Sequence, residues 1–127
     1  YAHARIASVL RKAGATLDVS DAALATADLG KLDHPAELAL IRKLADWPRQ
    51  VEIAARAHEP HRIAGFLTEL AADLHGHWNK GNDETSLRFV QDDPATMAAK
   101  IALARSVGVV ISAGLAILGV TPVEEMR

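Results

Sequence analysis

The stretch DPATMAAKIALARSVGVVISAGLAILGV, residues 93–120, decides the fold. Asp93 ahead of Pro94 is a cap followed by a proline at the first helical position, and Met97, Ile101, Ala104, Val107, Ile111, Leu115 and Leu118 then recur at three- and four-residue steps. Gly119 closes the element, which is the longest helix expected in the chain. Its second half, Val107 to Val120, is apolar except for Ser112, with Arg105 just upstream. Fourteen such residues are too few to cross a hydrocarbon layer of about 30 Å, so the run predicts a buried central helix. Gly108 and Gly114 on this helix predict close approach by neighbouring helices, a packing role rather than a ligand role.

Upstream, the polar run from Asn82 to Asp92 carries Leu87, Phe89 and Val90 without a helical period, which predicts a loop with room for an extended piece. Before it, Ile63, Phe66, Leu67, Leu70, Ala71, Leu74 and Trp78 follow Glu59-Pro60 with helical spacing for about five turns, ending near Gly81. A further helix starts at Pro35, behind the cap Asp33-His34, with Leu38, Ile41, Leu44 and Ala45 on its buried stripe. Pro48 interrupts that pattern and Val51, Ile53, Ala54 and Ala57 resume it, so two short helices and one bent helix both fit. Ser20-Asp21 is placed to cap a short turn through Ala27. Residues 1–14 form the first helix, with Gly14 where a left-handed cap would fall. Thr121-Pro122-Val123-Glu124 predicts a last helical turn. The sum is all-α: one domain over residues 1–127, five to six helices around an apolar C-terminal helix.

Half of the 127 residues are apolar, enough for a real core, and the formal charge is -2. A general nucleic-acid coat is therefore excluded, and any phosphate contact must come from a local patch. Without cysteine there is neither a disulfide framework nor a thiolate metal site, which is compatible with a reducing cytosol. The six histidines lack metal-site spacing: His58 and His61 straddle Pro60, and His75 and His77 are two apart. No glycine-rich phosphate loop or nucleophile elbow occurs, and Asp92-Asp93 is more simply a helix cap. No catalytic, cofactor or metal site is expected in the chain. The absence of an initiator Met and the start inside a helical pattern lead us to expect a piece of something longer.

Two places concentrate groups suited to recognition. In the first helix, Ala2, Ile6, Val9, Leu10 and Ala13 share one side, while Tyr1, Arg5, Ser8 and Lys12 share another, with Arg11 at its margin. No acid occurs there, and both a solvated face and a surface that grips bases and phosphates fit the pattern. In His75-Gly76-His77-Trp78-Asn79-Lys80-Gly81, Trp78 continues the Leu70, Leu74 stripe and is expected to be partly core with an edge left free. Trp47, between Asp46 and Pro48, is expected to be a packing residue.

Three segments, in this order, resemble one family: YAHARI with SVLRKAG at the start, Glu59-Pro60-His61-Arg62-Ile63-Ala64 with Leu67, Glu69, Leu70 and Ala71 in the middle, and Gly114-Leu115, Leu118-Gly119-Val120, Pro122, Glu124 and Met126 at the end. The chain resembles, over nearly its whole length, the C-terminal anticodon-binding domain of arginyl-tRNA synthetase, the DALR domain. The resemblance implies a fragment that binds the anticodon arm of arginine tRNA and is itself not catalytic. The implied parent is an arginine-tRNA ligase using ATP and Mg²⁺ in its own catalytic domain, cytoplasmic, with neither membrane nor DNA as partner. Residues matching Arg5, Arg11, Trp78 and Met126 line the anticodon pocket by that resemblance, and Tyr1 opens the same motif; Ser8 and Lys12 join them from the stripe and Asn79 from proximity. The implied mechanism splays the loop bases out against Trp78 or Tyr1, holds their edges with Arg5, neutralises phosphate with Arg11 and Lys12, and closes one wall with Met126. The middle base, a cytosine shared by arginine tRNAs, is the one the resemblance makes principal. The competing expectations are a helical structural or protein-interaction module, and the anticodon domain of another synthetase.

Overall fold

The computed structural model describes residues 2–120. Its elements are α1 (Ala2–Ala13), α2 (Asp21–Leu24), α3 (Pro35–Ala45), α4 (Trp47–Ala57), α5 (His61–Asp83) and α6 (Pro94–Ile117), with 3-10 turns at Leu29–Lys31 and Thr85–Leu87. No strand occurs among the described residues, and the helical turn expected over residues 121–127 lies outside them.

Helix α6 is the spine on which α1, α2, α3 and α5 pack. Asp93 caps it, its carboxylate accepting from the Thr96 amide at 2.9 Å, and Ile101, Ala104 and Val107 are fully buried. The two glycines are where neighbours come closest: a Cβ on Gly108 would lie 3.2 Å from Ile6 Cγ2 of α1, and one on Gly114 2.7 Å from both Leu67 methyls of α5. As expected, α6 is the helix the others surround, with Val109 and Ile117 about half exposed and Leu115 and Leu118 partly buried against the core. The whole helix, longer than its apolar run, is by length and composition long and apolar enough to cross a membrane, but half of its most apolar 18-residue stretch is buried inside the bundle.

Several junctions follow local chemistry. Two helices meet at Pro48, which stands in the first turn of α4 where its missing N–H is no loss. His34 is the cap of α3: its Nδ1 accepts from the Ala36 amide at 3.0 Å, and Glu37 Oε1 accepts from the His34 amide at 3.4 Å. Ser20 caps α2, accepting from the Ala23 amide at 3.3 Å, but α2 stops at Leu24, short of Ala27. Gly119 takes φ +77° and ends α6, with the Val120 amide donating back to the Leu115 carbonyl at 2.8 Å. Gly14 does not take the left-handed conformation. Its amide instead continues the helical ladder to the Leu10 carbonyl at 2.9 Å, and a Cβ there would stand 3.1 Å from that oxygen. Gly81 does not end α5, which runs two residues on to Asp83, and the expected extended piece is replaced by the 3-10 turn Thr85–Leu87. Trp47 is a packing residue as expected, half-buried with its ring centroid 5.4 Å from that of Phe66.

Candidate functional site

Helices α1 and α5 both lean on α6, Ile6 against Gly108 and Leu67 against Gly114, and this shared support sets them side by side. On α1 the buried stripe is Ala2, Ala4, Ile6, Val9 and Ala13, so the three- and four-residue steps from Arg5 to Ser8 and Lys12 fall on another face. The result joins two residues far apart in the chain: the Arg5 guanidinium carbon lies 4.7 Å from the centroid of the Trp78 ring. At that distance the cation is drawn to the ring's negative face by about 0.5–2 kcal/mol and the planar guanidinium is held at a fixed place. Trp78 is half-buried and packed on the core, and its ring centroid is 5.8 Å from that of Phe89.

Beside this pair opens a cleft of 420 Å³, to which Ser8, Lys12 and Trp78 contribute together with Asn82, Arg88 and Phe89. The far wall is a short segment locked by its own hydrogen bonds. Gln91 Nε2 donates to the carbonyls of Thr85 at 2.9 Å and Arg88 at 2.7 Å, and Arg88 Nε donates to the Gly81 carbonyl at 2.7 Å. Leu87 is fully buried beneath it and Phe89 nearly so, its ring centroid 5.3 Å from that of His77. Gly81 makes this possible, because a Cβ there would come within 3.2 Å of Arg88 Cγ.

Of the residues expected at the site, Ser8, Lys12 and Trp78 line the cleft together, and Arg5, which does not line it, covers the Trp78 ring. Arg11 and Asn79 are exposed and do not line the cleft; Tyr1 and Met126 lie outside the described residues. Arg11 is one step from Lys12 and Asn79 one step from Trp78, and each step turns a helix by about 100°. Asn82, Arg88 and Phe89 were not anticipated. Asn82 stands four residues after Trp78, hence on the same face, a signal lost once Gly81 is taken as the end of the helix.

Two histidines adjoin the site. Burial, then the Arg5 charge, pushes the His75 pKa down. Burial also lowers that of His77, more than the nearby Glu37 charge raises it, and neither ring nitrogen of His77 is hydrogen-bonded; the Leu87 backbone favours protonation without reaching hydrogen-bond geometry. Among the described residues no group of His, Asp and Glu is placed to hold a metal.

The family described as DALR anticodon binding domain matches residues 1–126. Over the full length of the chain, proteins named Arginine-tRNA ligase are similar: 73% identical in Cereibacter sphaeroides, 71% in Paracoccus denitrificans and 62% in Roseobacter denitrificans. The chain spans 22% of the length of each of these relatives.

Proposed function

The chain belongs to the DALR anticodon-binding domain family, and from that premise we propose that residues 1–127 are the anticodon-binding domain of a longer, cytoplasmic arginyl-tRNA synthetase and bind the anticodon loop of arginine tRNA. The observation that carries this is the Arg5 guanidinium set over Trp78, whose ring lines a cleft together with Ser8 and Lys12. An unstacked base enters against this aromatic and guanidinium surface, Arg5 and Ser8 present donors to its edge, and Lys12 meets the backbone phosphate. On this reading ATP and Mg²⁺ belong to the catalytic domain of the longer protein. The net charge of -2 predicts weak binding by the domain alone, with the rest of the tRNA gripped elsewhere.

The test is a titration of the chain with a fluorescent arginine anticodon stem–loop and with the same hairpin changed at its middle base. Binding to the first is expected to exceed binding to the second, and Trp78→Ala is expected to weaken it about 5- to 150-fold, the equivalent of about 1–3 kcal/mol of stacking. Arg5→Ala is expected to reduce the preference for the middle base. Equal affinity for both hairpins, unaffected by either substitution, would overturn the proposal and leave a helical interaction module.

A further inference from the structure

The proposed function uses one wall of the cleft, built from α1 and Trp78. The other wall, residues 84–91, has features that a passive linker does not need. It is tied down at three points, by the two Gln91 hydrogen bonds and the Arg88 Nε bond to the Gly81 carbonyl, over the buried Leu87. The Arg88 side chain nonetheless lines the cleft. With Nε engaged, the guanidinium is oriented while its two terminal nitrogens keep their donors. Among the described residues neither Arg88 nor Lys12 has an ion-pair partner, as holds also for Arg11, Lys31, Arg42, Arg49 and Lys80, but only Arg88 and Lys12 of these line the same cleft. Two unneutralised cations thus border one cleft in a chain that carries more acids than bases.

We propose that Arg88 is a phosphate-binding residue of this cleft, clamping with Lys12 the backbone that flanks the base held beside Trp78. The proposal rests on the RNA-binding function above and adds to it a second wall and its ligand, a phosphodiester of single-stranded RNA. Arginine suits the position because one side chain must do two things. It anchors the segment through Nε and offers a planar pair of donors to phosphate oxygens, whereas lysine has a single nitrogen. Phe89, nearly buried, braces the Trp78 ring rather than meeting RNA itself.

Arg88→Gln separates the two tasks, since its amide can still donate toward Gly81 but carries no charge. The chain and this variant are titrated with the arginine anticodon stem–loop across a salt series, with thermal melting as a check on folding. The variant is expected to melt with the parent chain, to bind several-fold more weakly near 50 mM salt, and to show a salt slope shallower by about 0.7, so that its deficit narrows about 2.6-fold by roughly 200 mM. Its discrimination against the middle-base variant is expected to be unchanged, because phosphate contacts carry no sequence information. Binding that depends on Arg5 and Trp78 but keeps its affinity and slope in Arg88→Gln would overturn the proposal and leave the RNA-binding function standing. Should Arg88→Gln melt early, Arg88→Lys decides: it retains the charge without the tether, and a slope reduced as in Arg88→Gln counts against phosphate binding. Failure of the unaltered chain to bind the hairpin would overturn both.

Discussion

His77 shows how one residue can couple this bundle to pH. Its ring is buried between the Phe89 side chain and the polar neighbourhood of Glu37, Lys100 and His34, with no hydrogen bond to either nitrogen. An unsatisfied buried polar group costs about 1–3 kcal/mol, and burial holds the native pKa below that of an exposed imidazole, near 6.5. Between those two values the unfolded chain binds more protons than the native one, so stability rises with pH across that window and falls as pH drops below about 6.5. His77→Leu removes both the orphaned atoms and the titration. In urea unfolding its stability relative to the parent chain is expected to grow as pH falls from about 7.5 to 5.5; a difference constant with pH would show that the ring titrates alike in both states. At this same scale the sequence exposes one side of the cleft and the cation that covers its tryptophan. Arg5, Ser8 and Lys12 are legible because one helix face gathers them, and Trp78 because it extends an apolar stripe. Asn82 and Arg88 are not, since Gly81 resembles a helix stop and only the packed structure shows that its missing Cβ admits the Arg88 side chain.

Elements were legible chiefly through their punctuation. Pro35, Pro48 and Pro94 all stand in first helical turns, and Gly119 ends α6 in the left-handed conformation. Glycines elsewhere mislead, because the same residue serves as a terminator, a contact or neither, and only packing separates these uses. Gly114 and Gly65 make the contrast measurable. A Cβ at Gly114 would lie 2.7 Å from the methyls of buried Leu67, so Gly114→Ala sets a helix-propensity gain of at most about 1 kcal/mol against an overpacking cost of about 1–3 kcal/mol. Overpacking wins, and a lower melting temperature is expected. Gly65 is exposed in the second turn of α5 with nothing within 4 Å of a new Cβ. Gly65→Ala therefore gains propensity without a clash, about 0.5–1 kcal/mol, and a melting temperature higher by roughly 2–5 °C is expected. A melting temperature raised in Gly114→Ala as well would show that the α5–α6 contact does not depend on the bare glycine.

The molecule as a whole is organised by α6, which carries α1 and α5 and thereby fixes the meeting of Arg5 with Trp78; its link to α3 is of a different kind. There Lys100 Nζ donates to Glu37 Oε2 at 2.8 Å, with both side chains almost wholly buried. Glu37 also accepts from the His34 amide, and His34 Nε2 lies 3.0 Å from Glu84 Oε2, so the network runs from the spine through the α3 cap to the residue after α5. Periodicity does not reveal such a pair, because Lys100 falls within an apolar helix and Glu37 within a capping sequence. Both taken singly suit the surface. Removing one partner leaves the other charge uncompensated in the interior, so Glu37→Ala is expected to destabilise by about 3–5 kcal/mol, a large part of the 5–15 kcal/mol typical of a domain. Replacing both, Glu37→Leu with Lys100→Met, removes the desolvation cost along with the attraction and is expected to recover most of that loss in urea titrations. A double variant as unstable as Glu37→Ala would mean that the pair holds α3 on the spine by geometry that apolar packing cannot replace.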